Sequence, residues 1–226
     1  MKMFRMLVAL LLESLVITLV SYSGQDSAQS SGLLDRQAKG ANLKNVMVGQ
    51  AAVNALLDAG VPGGVVNVSD CNQPATHSFT PRDSSLRGVL DAIVATDPLY
   101  RWEVTEGAIN VIPGNQLPTF LAVRMSRFDI VEVASPREVV PQLFKVPEVR
   151  RAQAALGRHA VQGGVQPFCP EGCPPNEKKK ISMTLKNVTV REALNAVARE
   201  HGSAVWWFRQ SECGGQKTFS LDFAIR

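Results

Sequence analysis

This sequence has little net charge and few of the residue patterns that mark an active site. Its 226 residues carry a net charge of +4, and the only basic clusters are residues 150–151 and 178–180. That charge is too small to predict a nucleic-acid partner. There are three histidines, and no serine lies in a G-x-S-x-G pattern. The glycine pairs at 163–164 and 214–215 lack the strand-to-helix context of a phosphate-binding loop. We therefore expect no catalytic residues and no cofactor.

A long apolar run occurs near the start of the chain. Lys2 and Arg5 precede mostly apolar residues 6–22, and small residues follow at 21–23. This pattern predicts a signal peptide at residues 1–23, followed by a polar, serine-rich linker at 24–41. Glu13 would be costly in a membrane span, which favours a cleaved signal over a membrane anchor. An uncleaved anchor is the alternative. We expect an exported, periplasmic protein.

Cysteine is scarce, and its spacing argues against a metal site. An even number of cysteines in an exported chain is typical of disulfides, and four allow three pairings. The proline and glycine between Cys169 and Cys173 favour a tight turn, which predicts a local disulfide. A bond from Cys213 to one of that pair is the main competitor, and the pairing of Cys71 stays open. A structural zinc usually needs a second close pair or added histidines, so we predict no metal.

The chain repeats itself. Residues 79–104 align without a gap onto residues 183–208, at a constant spacing of 104, and Trp102 stands against Trp206. A shorter match lies upstream, where residues 43–46 resemble residues 185–188. Self-similarity of this kind predicts a duplicated module.

Each predicted unit is a strand, a capped helix and two further strands. Apolar residues recur at helical spacing from Leu86 and again from Val190. Thr189 and Glu192 form a capping-box pattern just before the second helix. Residues 78–82 are predicted to be a strand, and Pro113 is predicted to end the first module. The expected class is α+β, with two β-α-β-β-type modules at 42–113 and 117–226. We expect small mixed or antiparallel sheets with helices packed on one face, and a cysteine-containing loop at 157–177.

The first module resembles a known family. Residues 44–113 are similar to the short N-terminal domain of secretins and TonB-dependent receptors, in the helix around residues 85–93 and the hairpin ending at residues 110–112. Residues 180–226 repeat the second half of that pattern. The resemblance implies a periplasmic domain that binds other proteins and has no catalytic residues. In this sequence the unit is duplicated without a following channel or barrel, and the cysteine loop is not part of the pattern.

Two adjacent tryptophans mark the candidate binding surface. Trp206 and Trp207 lie on a predicted strand, so one indole points to each face of the sheet. One is expected in the core, and the other is a candidate contact residue. We expect a protein-binding module with an unidentified envelope partner, and contact with the membrane only if the N-terminal segment is uncleaved. The alternatives are a periplasmic enzyme with a cleft between the modules and a membrane-anchored structural protein of the envelope.

Overall fold

The computed structural model describes residues 32–39, 41, 43–70, 75–155, 159–160 and 180–226. The predicted signal peptide, and all of the 157–177 loop except residues 159–160, lie outside this part of the chain. The predicted α+β class is confirmed. None of the described helices is long and apolar enough to cross a membrane. The α-helices are α1 (Val48–Asp58), α2 (Leu86–Thr96), α3 (Val139–Leu143), α4 (Pro147–Ala155) and α5 (Val190–His201).

Strands from both predicted modules join in one mixed sheet. Its six strands lie in the order β2-β3-β1-β7-β8-β5. A second, two-stranded antiparallel sheet pairs β4 with β6. Short 3-10 helices, η1 (Thr119–Ala122) and η2 (Pro136–Glu138), flank β4. The strands are β1 (Gly63–Asp70), β2 (Tyr100–Thr105), β3 (Ala108–Pro113), β4 (Arg124–Val133), β5 (His159–Ala160), β6 (Ile181–Thr189), β7 (Val205–Cys213) and β8 (Gln216–Ala224).

Strand β1 connects the two halves of the large sheet. It runs parallel to β7 along its whole length, from Gly63 to Asp70. On its other edge it pairs with β3 only from Gly63 to Val65. Because β1 comes from the first predicted module and β7 from the second, the large sheet crosses the predicted boundary at residues 113–117.

The large sheet carries helices on both faces. Its upper face, which bears Val65 and Trp207, packs against α1 and α2. Its lower face, which bears Val66 and Trp206, packs against α5, and α3 and α4 contribute residues to the same core beside β4. Successive strand residues point to opposite faces, so neighbouring apolar residues feed two separate cores. Within each half the helices lie on one face, and the two halves use opposite faces.

Helices α2 and α5 begin in the same way. The Ser85 hydroxyl accepts a hydrogen bond from the amide of Gly88 at 3.1 Å, and the Thr189 hydroxyl accepts one from the amide of Glu192 at 3.2 Å. The Glu192 carboxylate also accepts from the Thr189 amide at 2.6 Å, which completes the capping box. Both caps satisfy backbone amides that have no partner within the helix.

Each of these helices is then tied to the next strand by a tryptophan. The Trp102 indole donates to Asp91 at 2.9 Å, and the Trp206 indole donates to Asn195 at 2.8 Å. The residues that the sequence aligns at a spacing of 104 therefore occupy matching places. The Trp206 ring lies over Gly64, where an added Cβ would sit 1.8 Å from the indole. A glycine is thus required opposite this ring.

The halves also cover each other. On the lower face, Arg191 of α5 reaches Glu103 of β2 at 2.6 Å, and Arg199 donates to the Glu106 carbonyl at 2.5 Å. On the upper face, α1 lies against β7, with Gly49 close to the Trp207 indole nitrogen. Each half thus supplies a helix that buries part of the sheet made by the other.

Candidate functional site

The structure separates the two tryptophans predicted to form a binding surface. Trp206 is 0% exposed and belongs to the lower core. Its indole nitrogen is occupied by Asn195, so neither its ring nor its polar atom can reach a partner. The inclusion of Trp206 in the binding surface was wrong, because β7 is a central strand and α5 covers that face. Trp207 is half-buried on the upper face.

Trp207 lies in a groove between α1 and the β7–β8 hairpin. The groove has a volume of about 190 Å³. It exists because α1 covers β1 and β7 but leaves the upper face of β8 beside it uncovered. The residues lining this Trp207 groove are Gln50, Val53, Asn54, Leu57, Arg137, Trp207, Arg209, Ser220, Asp222, Phe223 and Ala224.

Two arginines flank the groove. The Arg209 guanidinium lies 4.7 Å from the centre of the Trp207 ring, and its Nε donates to the Ser220 hydroxyl at 3.2 Å. Arg137, which is 27% exposed, donates through Nε to the Phe223 carbonyl at 2.8 Å and lies 3.8 Å from Asp222. Stacking and backbone contact hold both guanidiniums in place.

A second and larger pocket opens where β1 and β3 separate. Along the β1–β3 ladder, the amide of Ile109 donates to the Pro62 carbonyl at 3.1 Å. In this parallel ladder, every second residue of β3 directs its backbone N–H position towards β1. After Ile109, the next two such positions are Val111 and Pro113. Proline has no N–H to donate, so Pro113 ends the ladder. Strand β1 continues beside β7 alone, and the two neighbouring strands diverge.

The gap between the diverging ends of β1 and β3 is called the fork here, and Tyr100 closes its inner end. Its hydroxyl accepts a hydrogen bond from the backbone amide of Val68 and donates to the Asn67 side chain at 2.9 Å. The tyrosine thus takes over the edge of β1 that β3 no longer pairs. Burial raises the pKa of the Tyr100 hydroxyl above its ordinary value, which keeps the group neutral across the physiological range.

The chain leaves the two strands of the fork in opposite directions. Of the residues that follow β1, Phe79 lies on the upper side, in the core around α1 and α2. After β3 the chain passes to the lower side, where Phe120 and Leu121 of η1 join the other core. A crevice at the carboxyl ends of neighbouring parallel strands, with connections to opposite sides, is where open sheets generally bind ligands.

Among the described residues, those lining the resulting fork pocket carry no charge, and its rim is apolar. Its volume is about 380 Å³. Leu99, at 68% exposed, and Val68, at 41%, are two of the three exposed large hydrophobic residues in the described part of the chain. The polar atoms of the lining belong to carboxamides and hydroxyls, which offer hydrogen bonds without charge. The lining residues are Val68, Leu99, Tyr100, Pro113, Asn115, Gln116, Leu117, Pro118, Thr119 and Gln210.

The predicted disulfide cannot be placed. Cys169, Cys173 and Cys71 lie outside the described residues. Cys213 is exposed at the end of β7, beside the turn to β8. Within the described ranges, no three His, Cys, Asp or Glu side chains come together in a way that could hold a metal ion.

Sequence reasoning missed the fork pocket. Pro113 was interpreted only as the end of the first module. The spacing of apolar residues does not predict that Leu99 is exposed. The one available signal was a proline closing a strand, which removes a ladder donor. Its consequence depends on which strand lies beside it, and that neighbour is 43 residues or more away along the chain, in β1.

Comparison with protein-family models, curated proteins and solved structures found no match to this chain. The resemblance to the short N-terminal domain of secretins and TonB-dependent receptors therefore stays a prediction from the sequence.

Proposed function

We propose that this protein is an exported, periplasmic binding module that holds a protein partner through the fork pocket. The observation that carries the proposal is the concentration of exposed apolar surface at this one place. Leu99 and Val68 border the same pocket, and the third such residue, Val131, lies apart on β4. Exposed apolar surface grouped around a concave site is typical of an interaction surface, whereas single exposed residues are ordinary.

The shape of the rim favours a protein over a small metabolite. A ligand contained in the pocket would leave Leu99, which is 68% exposed, largely in water. A partner surface that inserts one side chain into the pocket would also cover this leucine. Central apolar anchors surrounded by polar groups are the usual arrangement in protein interfaces.

The lining also defines the chemistry of the inserted group. Asn115, Gln116 and Gln210 supply carboxamides, which donate to and accept from a peptide backbone. The lining residues that the structure describes include no charged one, so a charged side chain would lose its hydration there without gaining an ion pair. The expected anchor is an uncharged apolar side chain on an extended or looped segment of the partner.

Site-specific photo-crosslinking in the native envelope tests this proposal. A photoreactive amino acid placed at Leu99 should give a discrete cross-linked product with a second protein. The same probe at Val131 is a matched control, because both residues are 68% exposed. The product should also decrease sharply in a Val68→Asp variant, which introduces a charge at the pocket rim.

Two results would contradict the proposal. One is the same set of products from both probe positions, and the other is no product from Leu99 in protein that folds and is exported normally. Export itself is tested separately, by mass spectrometry of the envelope protein. The apolar start and serine-rich linker predict a first residue between 24 and 31.

A further inference from the structure

We infer that the Trp207 groove is a second binding site, which takes a carboxylate side chain from an acidic peptide segment. This goes beyond the proposed role of the fork pocket, since it concerns a different set of lining residues and the opposite kind of chemistry. In the described part of the chain, the fork pocket has no charged lining residue, whereas the groove is bordered by two guanidiniums and one carboxylate.

The two arginines are held in a way that leaves their terminal nitrogens available. Arg209 uses Nε for Ser220 and its flat face for Trp207, and Arg137 uses Nε for a backbone carbonyl. Within the described residues, no acceptor bonds the terminal nitrogens of either side chain. A guanidinium anchored through Nε presents its two terminal nitrogens as a pair, which matches the two oxygens of a carboxylate.

The charge of the groove fits a single negative charge. Among the described residues, Asp222 is the only acidic residue in the lining, which also holds Arg137, at 3.8 Å from Asp222, and Arg209. The Asp222 Oδ1 already accepts from the amide of Phe223 at 2.7 Å. The groove therefore has one unmatched positive charge, which a monoanion neutralises. A phosphate dianion would leave the occupied groove with one excess negative charge.

The size of the groove fits a side chain better than a free metabolite. Its volume of about 190 Å³ is below the range of roughly 300–1,000 Å³ that is typical for small-molecule sites. The groove also runs along α1, where Gln50 donates to Asn54 at 2.8 Å and polar groups continue the surface. A peptide that places an acidic side chain in the groove would run beside this helix.

The test is an NMR titration of the exported protein with short capped peptides. The probes are acetyl-Gly-Glu-Gly-amide and its uncharged match, acetyl-Gly-Gln-Gly-amide, with inorganic phosphate as a third arm. The reporters are the Trp207 indole N–H and the Arg209 Nε–H signals. We expect saturable shifts with the glutamate peptide, and affinity for the glutamine peptide lower by about tenfold or more.

The arginine variants assign the effect to the groove. Arg209→Gln and Arg137→Gln should each weaken binding of the glutamate peptide about tenfold. Arg127→Gln is the matched control, because Arg127 is an exposed arginine on the separate β4–β6 sheet and its loss should change nothing. The fork variant Val68→Asp should also bind the glutamate peptide as the wild type does, which separates this site from the proposed function.

The inference is overturned if the glutamine peptide binds as tightly, if phosphate binds more tightly than the glutamate peptide, or if no probe shifts the two reporters. Arg209→Lys keeps the positive charge but loses the paired nitrogens, and it serves if Arg209→Gln does not fold. Wild-type affinity in a folded Arg209→Lys protein would also overturn the assignment.

Discussion

The two halves of this molecule make the same hydrogen bond in different surroundings. Trp102 donates to Asp91 on the exposed outer side of α2, while Trp206 donates to Asn195 inside the core. The difference follows from the sheet, because β2 is at the end of the strand order and β7 is central. A carboxylate is tolerated as an acceptor only where water reaches it, and the buried position has an amide instead.

The sequence position of a residue and its burial have different effects on this hydrogen bond. The position specifies which helix residue meets the tryptophan. The burial specifies whether that residue can carry a charge, and how much the contact contributes to stability. Variants made in pairs, one in each half, test the distinction.

The largest difference is expected between Asn195→Asp and Asp91→Asn. Asn195 is 0% exposed, so the introduced carboxylate would be buried without a cation, and we expect the free energy of unfolding at neutral pH to fall by about 3–5 kcal/mol. Asp91→Asn, at an exposed position, should change it by less than about 0.5 kcal/mol. Urea denaturation of both variants measures the contrast.

The same pair has a pH signature with a definite sign. Burial raises the folded-state pKa of the introduced carboxyl at position 195 above its unfolded value. The variant's deficit should therefore be small below about pH 4, where the carboxyl is protonated in both states, and should grow as the pH rises. A deficit that does not depend on pH would show that charge is not its cause.

The tryptophans themselves should differ next. Trp206→Phe leaves a cavity under α5 and deprives buried Asn195 of its donor, which should cost about 2–4 kcal/mol. Trp102→Phe removes a half-buried ring edge and an exposed hydrogen bond, which should cost about 1 kcal/mol. Equal losses in thermal or urea unfolding would contradict the difference between a central and an edge strand.

The helix caps should show a smaller contrast. Thr189→Ala breaks a two-way capping box and should cost about 1–2 kcal/mol. Ser85→Ala removes a single cap bond and should cost about 0.5–1 kcal/mol. Thr189→Ser and Ser85→Thr are the matched controls, since either hydroxyl can accept the same bond. Their stabilities should stay near that of the wild type.

The smallest effect is expected at Asp83, which aligns with Asn187 of the second half at the spacing of 104 residues. Hydrogen bonds from the Ser85 side chain and backbone hold the pKa of the Asp83 carboxyl below its ordinary value. Ser85→Ala should raise this pKa towards the ordinary value, which an NMR titration of the carboxyl carbon measures. Because the folded-state pKa of Asp83 is lower than its unfolded-state pKa, the ionised carboxylate stabilises the fold at pH values above the unfolded-state pKa. This contribution is lost as the pH falls through the folded-state pKa.

Much of the local structure could be predicted from the sequence. The stripes beginning at Leu86 and Val190 predicted α2 and α5 with their starts, because caps and apolar spacing are local signals. Residues 78–82 were predicted to be a strand, but the described segment makes only an isolated bridge, at His77 with Val46. That prediction was wrong, because within the described residues this segment has no strand beside it and makes one further backbone bond, from the Phe79 amide to the Leu43 carbonyl at 2.9 Å.

The arrangement of the halves and the fork pocket could not be predicted. The β1–β7 pairing joins residues that are far apart in the chain, and no periodicity encodes it. The placement of the two sets of helices on opposite faces of the sheet also depends on this long-range pairing. Trp207 was identified as a candidate contact residue, and Arg209 follows it by two residues on the same face of β7. Arg137 comes from η2, and only the folded structure brings it to this groove.

The mutual covering of the halves has a consequence for how the chain is made. Val66 and Ile112, both in the first half, are buried in the core that α5 completes. A chain emerging N-terminus first presents these apolar residues before Val190–His201 has been synthesised. The early half therefore has an unfinished surface that the late half must cover, and native folding is completed only when both are present. Such a chain depends on protection from aggregation during synthesis and, once folded, should unfold in a single transition.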